Sequence, residues 1–146
     1  MNSRPQAIKI LSPDDVMRIN RKLGEREQVV YTCLDKGRVE SAVFAAFYPG
    51  LYPLANGGVA EVAGALCYFL IMAHAFSDGN KRTGAIASTA FLAINGYELK
   101  YPLNPQKNIN AFAEKVLECA SGRVSKDEMR FWFDRHKTKI KSRSNS

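Results

Sequence analysis

The sequence predicts an all-α protein, a bundle of about six helices with one polar loop set between two buried central helices. Three observations carry this. Apolar residues recur at helical spacing in most segments. Ser, Asn and Asp caps open those segments, and Gly residues close several of them. Two strongly apolar stretches, 59–73 and 80–95, flank a short loop dense in polar and charged residues.

The elements follow in chain order. Ser12-Pro13-Asp14-Asp15 is a helix start, with Ser as N-cap, Pro at the first position and acids in the first turn. Val16, Ile19 and Leu23 continue that helix, and Gly24 is expected to end it. A second helix is expected from about Gly37 to Phe47, with Val39, Val43, Phe44 and Phe47 inward. The stretch from Tyr48 to Gly58 breaks regular structure repeatedly with two Pro, three Gly and two Tyr, as a connector or a surface flap. Val59 to Ala73 is apolar on nearly every face, the mark of a buried helix. From Asn80 to Asn95 a second buried helix is rich in small residues, and Gly96 supplies its stop. Tyr97 to Tyr101 reads as a short extended piece. Asn104-Pro105 is expected to cap a further helix carrying Ile109, Phe112, Ala113, Val116, Leu117 and Ala120. Ser125-Lys126-Asp127-Glu128 reads as a capping box for the last helix, with Met129, Trp132 and Phe133 inward.

At 146 residues the chain is long enough for one domain with a real core, placed at residues 1–136. Its 46% apolar and 24% charged content is ordinary for a soluble globular protein. The formal charge of +7 is mostly a tail property, since Arg135, Lys137, Lys139, Lys141 and Arg143 occur with no acid among residues 135–146. Residues 137–146 are therefore expected to be a basic, disordered tail. A body so nearly balanced argues against direct nucleic-acid binding. Cys33, Cys67 and Cys119 form no C-x-x-C pair and read as buried reduced thiols. The first residues lack an apolar leader core, and the apolar stretch from Val59 is short for a membrane span, so a cytoplasmic location is expected.

The loop from His74 to Gly84 concentrates the chemistry. His74, at the end of one buried helix, is placed to take a proton from an attacking hydroxyl. Asn80 opens the next helix, so the N–H groups of Gly79, Asn80 and Lys81 fall among its unsatisfied donors, where the dipole favours an anion. Gly79 permits close backbone approach. Lys81 and Arg82 add charge, and Arg82 can fork across two phosphate oxygens. Asp78 beside those phosphates needs a bridging cation, which points to Mg²⁺. Phe76, apolar within a polar loop, anchors the loop in the core. Each feature alone has an ordinary structural reading: a His at a helix end, or Asp-Gly-Asn as a turn. Two cations at the positive end of a helix run against its dipole, and the conjunction points to an anion site.

The run His74-x-Phe76-x-Asp78-Gly79-Asn80-Lys81-Arg82 resembles the signature of the Fic/Doc superfamily, which reads H-P-F-x-D/E-G-N-G-R-x-x-R in its adenylyl-transferring branch. The Lys after Asn resembles the death-on-curing (Doc) toxin branch more closely. The opening Leu11-Ser12-Pro13-Asp14 helix, the long apolar helix before the motif and Phe91 to Tyr97 after it extend the resemblance over roughly residues 10–135. It implies a Fic/Doc-type helical fold, His74 as the residue that deprotonates a target hydroxyl, and Asp78 as the acid holding nucleotide-associated Mg²⁺. Gly79 and Asn80 would form the phosphate-holding turn, and Arg82 the clamp. Ala75 stands where that branch has Pro. Lys81 replaces the second Gly and Ala85 the terminal Arg, two departures that match the Doc branch.

That branch binds ATP in a reversed sense and transfers its γ-phosphate to a Thr of elongation factor Tu, halting translation. The resemblance therefore implies a toxin of a toxin–antitoxin system, with ATP and Mg²⁺ as cofactors and a translation factor as protein substrate. The inhibitory S/T-x-x-x-E-G/N helix of many Fic proteins is missing from the sequence, so restraint is expected from a separate antitoxin. Fic-type AMP transfer, or a non-catalytic binding module of the same fold, are the alternatives. The segment Tyr48 to Gly58 lies where related folds place a flap, and Tyr52 and Leu54 are its candidate target contacts.

Overall fold

Ser12 opens the first helix through a reciprocal box: its Oγ accepts from the Asp15 N–H at 3.1 Å, and the Asp15 carboxylate accepts from the Ser12 N–H at 2.8 Å. That hydrogen bonding holds the Asp15 carboxyl below its usual range. The computed structural model describes residues 7–102 and 109–141. Six helices and two short strands run in the order α1 (Pro13–Arg26), α2 (Lys36–Phe47), α3 (Val59–Ala73), α4 (Asn80–Ile94), β1 (Tyr97–Leu99), α5 (Ala111–Ala120), α6 (Lys126–His136) and β2 (Lys137–Lys139). The all-α expectation holds, with a two-stranded ribbon added.

The bundle is organised around α3, which packs against α2, α4 and α6. An all-round apolar sequence demands this, because no face of α3 can meet water without cost. Ala60, Val62 to Cys67, Leu70 and Ile71 are all buried. Gly64 lets α6 come close, since a Cβ there would lie 2.6 Å from the Met129 carbonyl oxygen. Gly84 does the same for α4 against Ile71 and the Cys67 carbonyl. Helix α2 contributes Val39, Ala42, Val43, Ala46 and Phe47 to the core, and Phe47 meets Phe91 at 5.0 Å between ring centroids. No helix among the described residues is long and apolar enough to cross a membrane.

Several expectations need correction. Gly24 does not end α1, which runs to Arg26; it is buried because a Cβ would strike the Val29 carbonyl at 2.8 Å as the chain folds back. Phe44 is 61% exposed, because it sits one residue round the helix from the Val39, Val43 and Phe47 stripe and lies against Tyr48 instead. Leu117 also faces out. The box at Ser125 is only half formed: Ser125 Oγ accepts from the Glu128 N–H, but the Glu128 carboxylate takes the Ser125 hydroxyl rather than its N–H. His136, expected at the surface, is half-buried: its ring stacks on that of Trp132 at 4.1 Å between centroids, and its Nδ1–H donates to the Trp132 carbonyl at 2.7 Å. The tail expectation fails for residues 137–139. Lys137–Lys139 pairs antiparallel with Tyr97–Leu99, Thr138 opposite Glu98, because β1 needs a partner for its backbone groups. The expected cap at Asn104-Pro105 lies outside the described residues; α5 is capped by Asn110, whose side chain accepts from the Ala113 N–H at 2.8 Å.

All three thiols are free. Cys67 and Cys119 are buried as expected, Cys33 only half-buried. Burial pushes the Cys119 thiol up to about 11 and Cys67, beside it, higher still. A thiol-reactive dye at pH 8 should therefore modify Cys33 alone in the native chain, and all three after denaturation. Rapid native modification of Cys67 or Cys119 would contradict this packing.

Candidate active site

The chain leaves α3 at His74, which adopts a left-handed conformation (φ 47°, ψ 44°). A non-glycine residue there is strained, and such strain concentrates at functional positions. The left-handed step ends the helix and leaves the His74 side chain exposed. The following Ala75 and Phe76 are buried, Phe76 at 3% within the core cluster. Ser77 and Asp78 are exposed, Gly79 is buried, and α4 starts at Asn80.

Two asparagines hold this loop. Asn80 turns its side-chain amide back on Phe76, accepting from its N–H at 3.1 Å and donating to its carbonyl at 3.0 Å. Both ends of that amide brace the loop, so any contact of Asn80 with an anion falls to its backbone N–H. Asn20 of α1, 2% exposed, donates from Nδ2 to the Asp78 carbonyl at 3.0 Å and to the Thr83 hydroxyl at 3.1 Å. It ties the last exposed residue of the loop to the first turn of α4.

The outer wall is the segment Tyr31–Asp35. Ser77 N–H donates to the Thr32 carbonyl at 2.8 Å, Ser77 Oγ accepts from the Thr32 N–H at 2.9 Å, and Leu34 N–H donates to the Ala75 carbonyl at 2.8 Å. Cys33 and Phe76 form an antiparallel bridge between them. The Tyr31 ring lies over Gly79, where a Cβ would come within 2.8 Å of it. Gly79 is also left-handed at φ 75°, so both the close approach and the backbone call for glycine.

The electrostatics centre on the start of α4. Helices α1, α2, α5 and α6 are capped by Ser12, Asp35, Asn110 and Ser125; α4 has no side-chain cap. The Gly79 N–H donates to Asp78 Oδ1 at 2.7 Å. The N–H groups of Asn80, Lys81 and Arg82 have no partner within the helix, by its geometry. Lys81 and Arg82 are both solvent-exposed beside them. The Arg82 guanidinium is held by two groups of the preceding structure: it forms an ion pair with Glu27 and donates to the Tyr31 hydroxyl at 3.1 Å. Tyr31 in turn donates to Glu27. Partial desolvation and the facing Asp78 carboxylate hold the Tyr31 phenol above its usual range, so it stays a neutral donor.

One carboxylate suits Mg²⁺ arriving with a nucleotide, because that ion keeps waters and takes its other ligands from phosphates. Asp78 is exposed, has one oxygen on Gly79 and lies beside the uncapped N–H groups. Among the described residues no three His, Cys, Asp or Glu groups gather into a metal-binding cluster.

The structure thus brings His74, Phe76, Asp78, Gly79, Asn80, Lys81 and Arg82 into one turn. It does not bring in the flap pair. Tyr52 is 73% exposed, whereas Leu54 is half-buried against the core, and neither lines the groove of about 840 Å³ beside His74. Sequence reading missed Asn20, Glu27, Tyr31 and Ser77. Asn20 carried a signal, a polar residue on the apolar stripe of α1 between Val16 and Leu23. Tyr31 and Glu27 carried none.

The Fic/DOC family model matches residues 10–92, more than half of the chain. The match starts before α1 and ends within α4, so it contains every residue of the site. No curated protein matches the sequence at a significant level.

Asn20→Ala leaves a partly buried carbonyl and a buried hydroxyl without their shared donor, which costs about 1–3 kcal/mol. Urea denaturation should show a loss in that range. A loss under about 0.5 kcal/mol, as for a surface change, would mean that Asn20 does not hold the loop.

Proposed function

The chain belongs to the Fic/Doc family, and on that footing we propose that it transfers the γ-phosphate of ATP to a hydroxyl of a protein. Members of this family move nucleotide-derived groups onto proteins, so a nucleotide-dependent transferase is the coarser statement beneath ours. The observation that carries the reading is the uncapped N-terminus of α4, with Lys81 and Arg82 exposed beside it and His74 across the loop.

The chain's own groups divide the work. The N–H groups of Asn80, Lys81 and Arg82 and the two cations grip the polyphosphate. Asp78 would hold Mg²⁺, which neutralises phosphate charge when bound. His74 takes the proton of the target hydroxyl. That oxygen bonds to the terminal phosphorus as its bond to the bridging oxygen breaks, and ADP leaves with the electron pair. Lys81 supports the phosphoryl reading over AMP transfer, because its side chain occupies the place where a second glycine would let the backbone approach an α/β-phosphate pair.

By resemblance to the Doc branch, the substrate is a translation factor, elongation factor Tu, and the setting a cytoplasmic toxin restrained by a cognate antitoxin. Of the two candidate flap contacts, Tyr52 is the more available to a protein substrate. Tyr52→Ala should lower transfer to protein severalfold and leave ATP affinity unchanged; equal transfer rates would remove the flap from substrate contact.

The deciding experiment incubates the chain with Mg²⁺ and elongation factor Tu in parallel with α- and γ-labelled ATP. We expect label from the γ tube only, with His74→Ala reducing it at least 10²-fold, the scale of a lost general base. Label from the α tube would establish AMP transfer instead.

A further inference from the structure

The groove of about 840 Å³ beside His74 runs between α2 and α3. Helix α2 lines it with Arg38, Ser41, Ala42 and Ala45, and α3 lines it with Phe69 and Met72. Small residues on α2 leave the trough open, and the longer apolar side chains of α3 form the facing wall. Most of α3 is buried, yet Met72 is its one exposed residue, at 39%, and Phe69 is only half-buried. Apolar side chains left uncovered in a concave surface make a binding wall rather than scattered exposure. The Phe69 ring is fixed in place, with Tyr68 edge-on at 5.6 Å and the Lys126 ammonium 5.9 Å from its centroid. Arg38 spans the groove next to His74. Its Nη1 donates to the Ala73 carbonyl at 3.4 Å, and its Nε pairs with Asp35 at 3.4 Å, which leaves guanidinium donors free.

We propose that this groove is the acceptor subsite: it holds the residues of the protein substrate that adjoin the accepting hydroxyl, and it selects an apolar side chain among them. The inference rests on the transfer reading above, in which His74 takes the proton of that hydroxyl. The hydroxyl-bearing residue must then sit at His74, and its chain must leave along a surface that the polyphosphate does not use. His74 lines this groove, whereas Asn80, Lys81 and Arg82 do not. The groove and the phosphate grip are thus separate surfaces that meet at His74, one for each substrate.

The dimensions set a recognition pattern. From Arg38 to Ala45 helix α2 rises about 10 Å, a span that three residues of extended chain cover at about 3.3 Å each. With Ser or Thr at His74, the side chain that reaches Phe69 and Met72 belongs to a residue two or three positions away. An apolar one gains from leaving water there, and a charged one is penalised. The free donors of Arg38 suit a backbone carbonyl of the same segment, next to the hydroxyl.

The test uses the full chain with Mg²⁺, γ-labelled ATP and a set of nine-residue peptides, each with a central Thr among Ala and Gly. One position at a time, within three of the Thr, carries Leu or Asp. We expect Leu two or three positions away, on one side of the Thr, to raise kcat/KM about tenfold over Asp at the same position, the low end of what an apolar pocket contact is worth. Met72→Asp and Ala45→Gln should each remove that preference, with unchanged ATP affinity by calorimetry showing that the variants are folded. Equal labelling of Leu and Asp peptides at every position would overturn the assignment while the transfer reading stands, and would leave the groove to an inhibitory partner or a second copy of the chain. So would a preference that survives both variants. ATP binding without transfer to any peptide would also overturn it, because the residues beside the hydroxyl would then be insufficient for recognition. A chain that does not bind ATP would overturn the transfer reading, and this one with it.

Discussion

The chain must turn from one buried helix into another within the five residues Ala75 to Gly79, and every backbone group in that turn needs a partner. This requirement shapes the rest of the molecule. Helices α3 and α4 are too apolar to separate, so the loop is fixed at both ends before its own bonds form. Its interior is then closed by Asn80 on Phe76, and its two flanks by Asn20 from α1 and by Tyr31–Asp35 from the segment before α2. These are long-range contacts. They explain why a family match that starts before α1 is needed to include a site whose own signature is so short.

Bracing of this kind has a chemical consequence. Side-chain amides satisfy the loop's internal donors and acceptors, and none is used to cap α4. Four of the six helices spend a Ser, Asp or Asn on their first turn; α3 and α4 both follow a glycine without a side-chain cap, and α4 alone of these two adds two cations there. The energy forgone in leaving an N-terminus open, with positive charge added to the positive end of the dipole, is of the order of 1 kcal/mol. An arriving anion returns it. The arrangement is unfavourable as structure alone and favourable as a phosphate site.

Much of this was legible in the sequence because it is local. Helix starts at Ser12 and Ser125, the all-round apolarity of Val59 to Ala73, and the density of types between His74 and Arg82 depend only on neighbours along the chain. Asn20 meets Asp78 and Thr83 across about sixty residues, and no spacing rule reports such a pairing. Tyr31 belongs to a stretch without helical or strand period, and its role arises only when the chain folds over Gly79. The β2 strand, Lys-Thr-Lys, is too polar to announce itself; β1 recruits it because unpaired backbone groups need partners. Phe44 misled because a count of apolar residues at rough helical spacing does not say which of them fall off the stripe by one position.

Arg82 shows how geometry alters a role that spacing alone suggests. As a free clamp it would cost a nucleotide nothing to engage. Instead it carries an ion pair with Glu27 and a hydrogen bond from its guanidinium to Tyr31. The Arg82 side chain is 54% exposed and that of Glu27 28%, so water already weakens the pair, and an exposed pair is worth under about 1 kcal/mol. A polyphosphate at the α4 N-terminus offers greater charge in a bidentate geometry than one carboxylate can. The guanidinium has five donors, so it can turn part of its fork to phosphate while the neutral Tyr31 hydroxyl keeps it in register. On the proposed reading, Glu27 would hold Arg82 ready rather than block it: the pair orients the side chain, and its exposure leaves it weak enough for a phosphate to displace.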